Sequence, residues 1–223
     1  MVSRPSIDGT TRGRSFRAAL LRAAGDLGLA LDPDQADALQ IHYRLLREWG
    51  RKINLTGLKD EESILRRHFL EPIAAAGLIG GPGRLVDLGS GNGFPAVPLR
   101  VLRSGLELVL VEASERKSAF LWAVLRELGL KGARVETRRV ARREDLADLL
   151  PCRYLTLRAV RGRDLLQGRS GAILEPEGRA LFFVSPEESR ALRDDPIRGL
   201  VWTEERPLPS GPRSVVAVLD PEG

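Results

Sequence analysis

The chain has 223 residues with 43% apolar side chains, a length that suits one α/β domain of moderate size with a small appendage. It has one cysteine, no apolar run long enough for a membrane helix and no secretory signal pattern, which excludes internal disulfides and favours a cytoplasmic enzyme without membrane or metal partners. A net charge of +5 and an isoelectric point near 10.0 suit a polyanionic partner such as RNA, with genome-driven arginine content as the alternative explanation.

Helical patterns dominate the first 80 residues. The polar stretch 1–13 predicts a disordered tail, and region 14–80 predicts a helical extension. Asp32 and Pro33 are typical of a helix cap and a first-turn proline, and Gly50 ends that helix. The predicted helices cover 16–29, 33–49 and 60–69, with a connector at 53–56 and a further helix start at Pro72.

From residue 81 onward, strands and helices alternate. The predicted strands cover 84–88, 107–111, 133–137, 154–159 and 178–184, and the helices between them cover 94–103, 114–128, 145–150 and 163–172. Two more strands, 199–205 and 214–219, close the sheet as a hairpin. This order predicts an α/β, Rossmann-like domain over 81–223, with a mostly parallel seven-stranded sheet and a ligand crevice where the first strands end.

A glycine-rich turn follows the first of these strands, in the sequence Asp87-Leu88-Gly89-Ser90-Gly91-Asn92-Gly93. Glycines at 89 and 91 let the backbone turn tightly and approach a ligand closely. The Gly-x-Gly-x-Gly spacing differs from the Gly-x-Gly-x-x-Gly of dinucleotide enzymes. Asp87 can meet the ammonium of a bound amino acid. Together these features favour S-adenosylmethionine over a nicotinamide dinucleotide, which stays open as an alternative.

Glu112 ends the second strand, 19 residues beyond Gly93. An acid at this place accepts hydrogen bonds from the ribose hydroxyls of an adenosine, although dinucleotide-binding folds use the same device. The structural alternative is a cap on the following helix. Phe94 and Pro95 open the helix after the turn, and we predict that Phe94 packs on the methionine portion of the cofactor, with core packing as the alternative.

Five motifs along the chain occur together in one protein family. They are Asn54-Leu55-Thr56, His68-Phe69-Leu70, the turn and helix start over 87–99, Val111-Glu112 followed by 115–121, and Leu157-Arg158-Ala159-Val160. On these motifs the chain resembles the glucose-inhibited division protein B family, the bacterial 16S rRNA guanine-N7 methyltransferases, from about residue 35 to 220.

The resemblance implies a class I S-adenosylmethionine-dependent methyltransferase that methylates guanine N7 in 16S rRNA or in the small ribosomal subunit. It implies cofactor contacts at Gly89, Phe94, Val140, Ala141 and Arg158, beside the contacts expected from the residues themselves. Because N7 carries a free lone pair, we predict that the protein acts mainly by positioning its two ligands, and we name no catalytic residue. We also expect the protein to be a monomer. Cys152 is then a structural cysteine.

Basic residues near these motifs are candidates for RNA contact. The candidates are Arg66, Arg67, His68, Arg116 and Lys117. A solvated basic surface is the alternative, and for His68 it is a structural hydrogen bond. Trp49 and Trp122 lie in helical patterns that place them in the core, with base stacking as the alternative.

The chain departs from the family pattern at several positions. Glu71-Pro72 stands where the family has Asp-Ser, Ala141 where it has Glu, and Val184-Ser185 where it has Lys-Gly. Two other functions therefore stay open. One is a methyltransferase acting on another RNA, a protein or a small molecule. The other is a non-catalytic RNA-binding or ribosome-assembly protein that keeps the fold.

Overall fold

One mixed sheet organises the computed structural model, which describes residues 8–158, 162–167 and 171–223. Its strands are β1 (Gly83–Leu88), β2 (Leu106–Glu112), β3 (Ala133–Thr137), β4 (Cys152–Leu157), β5 (Leu174–Val184), β6 (Leu200–Pro207) and β7 (Val215–Pro221). They lie in the order β3-β2-β1-β4-β5-β7-β6, and β7 runs antiparallel to both of its neighbours. The predicted α/β fold with a mostly parallel seven-stranded sheet and a closing hairpin is confirmed.

Helices cover both faces of this sheet. Their bounds are α1 (Asp8–Asp26), α2 (Pro33–Trp49), α3 (Glu61–Ile64), a π-helical segment (Leu65–Leu70), α4 (Glu71–Ala75), α5 (Ala96–Leu102), α6 (Glu115–Glu127), α7 (Gly162–Leu166) and α8 (Pro186–Asp194). Asp32 caps α2 through a reciprocal pair of hydrogen bonds with Gln35, and Asp60 caps α3 by accepting from the N–H of Ser63. Of the helices described, none combines the length and the apolar character that a bilayer crossing requires.

Several predicted boundaries differ from the structure. α1 begins at Asp8, inside the stretch 1–13 predicted as a disordered tail, and residues 1–7 lie outside the described residues. The helix predicted over 145–150 is a 3₁₀ turn at Arg143–Leu146. Of the helix predicted over 163–172, the structure describes α7 and not residues 168–170.

α8 was not predicted, although its sequence carries a clear start signal. Ser185 accepts from the N–H of Glu188, whose carboxylate accepts from the N–H of Ser185, and Pro186 opens the helix. These residues follow β5 directly. The position where the family has Lys-Gly therefore becomes the capped start of a helix in this chain.

Side chains of β1 alternate between two hydrophobic clusters, one on each face of the sheet. Leu85 joins the N-terminal helices through Phe16, Leu39 and Phe69, all fully buried, and Val86 joins the opposite cluster. The N-terminal helices therefore share a core with the sheet. The prediction that Trp122 belongs to this core is wrong, because 49% of the residue is exposed on the outer face of α6.

Candidate functional site

The glycine-rich turn folds back over the end of the neighbouring strand β2. Gly89 and Ser90 each donate a backbone hydrogen bond to the carbonyl of Val111, at 2.9 and 3.0 Å. Gly89, Gly91 and Gly93 have φ angles of +71°, +53° and +83°, which residues other than glycine rarely adopt. A Cβ at Gly89 would meet no atom within 4 Å, so space is open above this residue. The turn thus presents bare backbone to a ligand.

Glu112 connects the turn to the start of α6. Its Oε2 accepts from the N–H of Gly91 and its Oε1 accepts from the N–H of Ser114, both at 2.8 Å. A carboxylate has about four acceptor positions, so each oxygen keeps capacity for a ligand hydroxyl. The helix-start role considered as an alternative is therefore present together with the geometry that a ribose contact requires.

Asp87 is a buried carboxylate, and one of its two oxygens has no hydrogen-bond partner among the described residues. Oδ1 accepts from the hydroxyl of Thr156 at 2.6 Å, while Oδ2 is buried without a hydrogen-bond partner among the described residues. Burial raises the pKa of Asp87 to about 6, although the hydrogen bond from Thr156 acts in the opposite direction. A cation placed at Oδ2 would relieve this cost, which is what an ammonium group can do.

A cavity of about 340 Å³ opens beside this turn. Gly89, Val111, Ala113, Val140 and Arg158 are among the residues that line it. The structure thus brings together three of the predicted cofactor residues from three different strand ends, and Asp87 and Glu112 lie next to lining residues in the chain. Ala141 lies outside the lining, and its N–H donates to Asp145 Oδ2 at 2.9 Å.

Phe94 lies between two imidazole rings. The ring centroids of His42 and His68 are 4.3 and 4.6 Å from that of Phe94, and the planes deviate from parallel by only 6° and 12°. Both faces of the Phe94 ring are therefore covered, as core packing requires. Contact between Phe94 and a cofactor stays a prediction.

Both histidines of this stack are held neutral by burial. Burial lowers the pKa of His42 to about 4, and its Nε2 donates to the carbonyl of Asn92 at 3.0 Å. Burial and the charge of Arg158 lower the pKa of His68 to about 3. His68 Nε2 lies 2.9 Å from Thr56 Oγ1, so the hydroxyl of the Asn-Leu-Thr motif holds this ring. The structural hydrogen bond considered as an alternative for His68 is thus present, and its contact with RNA stays a prediction.

Glu71 is the functional candidate that sequence reasoning missed. It is fully buried, and its Oε2 accepts from Arg158 Nη1 at 2.6 Å. The Arg158 guanidinium also lies 4.8 Å from the ring centroid of Phe183. In the sequence, Glu71 stands out only as a departure from the family pattern. An acid beside a run of apolar residues was the available signal, because a buried charge requires a partner.

The predicted RNA contacts fall into two groups. Arg66 and Arg67 are exposed on the π-helical segment close to Glu71, and Arg66 also pairs with Glu62 at 3.0 Å. Arg116 is exposed and Lys117 is half-buried in the first turn of α6, four and five residues after Glu112. Both groups border the site, and their contact with RNA stays a prediction.

Cys152 begins β4, whereas the cavity lies at the other end of that strand. Burial raises the pKa of its thiol to about 12. A strand of this length separates its two ends by roughly 16 Å. Cys152 is therefore too remote and too weakly acidic to act as a nucleophile in the cavity.

The strand order, the glycine turn after β1 and the acid that ends β2 define a class I S-adenosylmethionine-dependent methyltransferase fold. Solved structures agree. PH0226 protein from Pyrococcus horikoshii OT3 superimposes with a TM-score of 0.54 at 14% identity, over 78% of this chain and 99% of that one. The ribosomal protein L11 methylase from Lactobacillus delbrueckii subsp. bulgaricus gives 0.53 at 12% identity, over 74% and 81%. At these identities the likeness shows the fold alone.

The sequence narrows the class to one family. The model of the GidB family, rRNA small subunit methyltransferase G, matches residues 35–195, and the chain belongs to this family. Ribosomal RNA small subunit methyltransferase G of Cupriavidus pinatubonensis is 32% identical over 188 residues, which are 78% of this chain and 76% of that protein. The protein of the same name from Geobacter sp. (strain M21) is 37% identical over 119 residues, 53% and 55%. The chain spans about half the length of the first relatives that it matches. The predicted family is thus confirmed.

Proposed function

We propose that this chain binds S-adenosylmethionine in the cavity beside the glycine turn and methylates N7 of a guanine in 16S rRNA. One observation carries the cofactor assignment. The unpartnered oxygen of Asp87, the bare backbone of Gly89 and the carboxylate of Glu112 follow one another along the ends of β1 and β2. In this order they match the ammonium group, the aliphatic part of the methionine and the ribose of S-adenosylmethionine.

The residues present fit each part of S-adenosylmethionine. Asp87 would hold the ammonium and Glu112 the ribose hydroxyls, while the backbone at Val140 and Ala141 would contact the adenine. Arg158 would bind the carboxylate, since its Nε and Nη2 are buried without partners among the described residues. Gly91 orients Glu112 through its N–H.

When bound, the cofactor supplies a methyl group on a positively charged sulfur, which the lone pair of guanine N7 accepts without prior removal of a proton. The chain therefore needs to orient its two ligands rather than to provide a base. His42 and His68 agree with this, because their lowered pKa values keep both rings neutral near pH 7 and each Nε2 is already hydrogen-bonded.

The RNA would be held by phosphate contacts from Arg66 and Arg67, which precede Glu71, and from Arg116 and Lys117, which follow Glu112. We infer that the chain works as a monomer in the cytoplasm, where bacterial ribosomal subunits are assembled. Transfer of a methyl group from sulfur to a free lone pair requires no metal.

Calorimetry with S-adenosylmethionine tests the cofactor assignment. Glu112→Ala should weaken binding about 10- to 100-fold, because a charged hydrogen-bond acceptor contributes about 1.5–3 kcal/mol. Glu112→Gln, which keeps one acceptor oxygen, should lose less, and Lys131→Ala on the opposite edge of the sheet should lose nothing. Circular dichroism would establish that the variants fold. Preferential binding of a nicotinamide dinucleotide, or no binding by the unmodified chain, would overturn the assignment.

A further inference from the structure

We propose that Glu71 is a positioning residue that joins Arg158 to the β6–β7 loop, residues 208–214, and that the loop so held presents Arg213 to an RNA phosphate. This inference rests on the proposed function, because it names a contact between that site and its RNA. The two oxygens of Glu71 have separate partners, which makes the two parts of the inference separable by experiment.

The first oxygen faces the cofactor cavity. Oε2 accepts from Arg158 Nη1 at 2.6 Å, and Arg158 lines the cavity. Glu71 has no exposed surface and only 16% of the Arg158 side chain is exposed, so solvent screens this pair weakly. One guanidinium nitrogen is fixed by Glu71, which leaves Nε and Nη2 in a defined orientation for a ligand.

The second oxygen faces the loop. Oε1 accepts from the hydroxyl of Ser214 at 2.6 Å and also from the hydroxyl of Ser210. Neither serine touches the cofactor cavity, so their removal separates the loop from the Arg158 pair. One buried carboxylate thus holds a five-residue segment that starts with Ser210 and ends with Ser214.

The loop lies at the same edge of the sheet as the cofactor turn. Its last residue precedes Val215, which pairs with Val184 at the end of β5. The backbone closes on itself where Leu208 donates to the carbonyl of Ser214 at 3.0 Å, and Leu208 is buried. Between these anchors the chain exposes Pro212 and Arg213 to solvent.

Positive charge collects around this loop. Arg213 is exposed at its tip, Arg67 is exposed on the π-helical segment, and Arg66 Nη1 reaches the carbonyl of Pro209 at 3.4 Å. Among the described residues, no carboxylate lies within ion-pair distance of Arg67 or Arg213. Unpaired arginines at the rim of a nucleic-acid methyltransferase site fit a phosphate group, which positions RNA without reading its sequence. Arg213 therefore contacts the RNA, and Glu71 positions Arg213 through its hydrogen bonds with Ser210 and Ser214.

The test compares RNA affinity with cofactor affinity. The variants are the double variant Ser210→Ala/Ser214→Ala, Arg213→Ala, their triple combination, Glu71→Gln, and Lys131→Ala as the matched control at the opposite edge of the sheet. Binding of a 16S rRNA fragment is measured by fluorescence anisotropy over a range of salt, and binding of S-adenosylmethionine by calorimetry. The KM for the RNA fragment in methyl transfer is measured for the same variants.

Arg213→Ala should weaken RNA binding about 5- to 20-fold and reduce the slope of log affinity against log salt by about one, as expected for one lost phosphate contact. The double serine variant should weaken RNA binding by a similar factor and change cofactor affinity less than about 2-fold, because the Arg158 pair stays intact. The triple variant should resemble either parent. Glu71→Gln should weaken both ligands, since the Gln amide cannot replace the charge that faces Arg158.

Three results would overturn the inference. In the first, Arg213→Ala binds RNA as Lys131→Ala does. In the second, the serine variant loses cofactor affinity and keeps RNA affinity. In the third, the losses of the serine and Arg213 variants multiply in the triple variant, which shows that the loop does not act through Arg213. A chain that binds RNA but transfers no methyl group refutes the proposed function instead, and the binding data still decide the role of the loop.

Discussion

Replacing Asp87 by Asn should make the cofactor-free protein progressively more stable, relative to the unmodified protein, as the pH rises from 4 to 8. The pKa of Asp87, about 6, exceeds its ordinary value of 3.8, and each pKa unit is worth about 1.4 kcal/mol, so an ionised Asp87 costs the native state about 3 kcal/mol near neutral pH. The raised pKa means that the folded state holds this proton more tightly than the unfolded chain does. Its contribution to stability is therefore complete below pH 3.8 and is lost as the pH rises through 6.

Asn does not titrate, so the variant escapes this loss. Its side-chain oxygen can still accept from Thr156, and the amide that replaces the unpartnered oxygen adds a cost that does not vary with pH. The free energy of unfolding of the variant relative to the unmodified protein should rise by about 2 kcal/mol between pH 4 and 8. His42 and His68 add their own pH dependence up to their ordinary pKa of 6.5, but the two proteins share it, so it cancels in the difference.

Urea unfolding at a series of pH values, without cofactor, measures this difference. Thr156→Val is a second test variant that keeps Asp87. Loss of the Thr156 hydroxyl removes a contact that lowers the pKa of Asp87, so this variant should lose more stability between pH 4 and 8 than the unmodified protein does. Affinity for S-adenosylmethionine should rise as the pH passes 6 in the unmodified protein and stay low and flat in Asp87→Asn. A stability difference that is constant from pH 4 to 8 would refute the reasoning.

Three further outcomes are expected. Gly93→Ala should lower the free energy of unfolding by about 1–3 kcal/mol, because the φ of Gly93 is +83° and a Cβ would lie 3.0 Å from Val97. In the control variant Gly25→Ala, in α1, the new Cβ meets no atom within 4 Å, and the free energy of unfolding should rise by up to about 1 kcal/mol. Equal effects of the two substitutions in urea unfolding would contradict the claim that alanine is strained at position 93. Iodoacetamide should label Cys152 only in the unfolded chain, because burial raises the pKa of its thiol to about 12, and rapid labelling of the native protein, read by mass spectrometry, would show otherwise. Trp122→Ala should cost less than about 1 kcal/mol in thermal unfolding, since the indole is 49% exposed, and a loss above about 3 kcal/mol would place it in the core.

Features that depend on neighbouring residues in the chain were accessible from the sequence. The glycine turn and the acid at Glu112 lie at fixed positions after two buried strands, so the topology of a parallel sheet brings them together. The capped start of α8 at Ser185 was equally local, and the Ser-Pro-Glu-Glu sequence carried the information needed to predict it.

Features that depend on distant parts of the chain were not accessible. Glu71 meets Arg158 and Ser214 across 87 and 143 positions, so no local pattern connects them. The same is true of the stack in which α2 supplies His42 to one face of Phe94. Periodicity placed Trp122 on a helix correctly, but it could not show that, in the part of the chain that the structure describes, this side chain stays 49% exposed on α6.

Mapping of methylated guanines in 16S rRNA tests the central claim most directly. Small-subunit RNA from cells that lack this gene would be compared with RNA from cells that carry the gene, or its Glu112→Ala variant, on a plasmid. We expect one N7-methylguanosine to disappear with the gene, to return with the unmodified copy and to stay absent with Glu112→Ala. A methylation map that does not change when the gene is removed would contradict the assignment of 16S rRNA as the substrate.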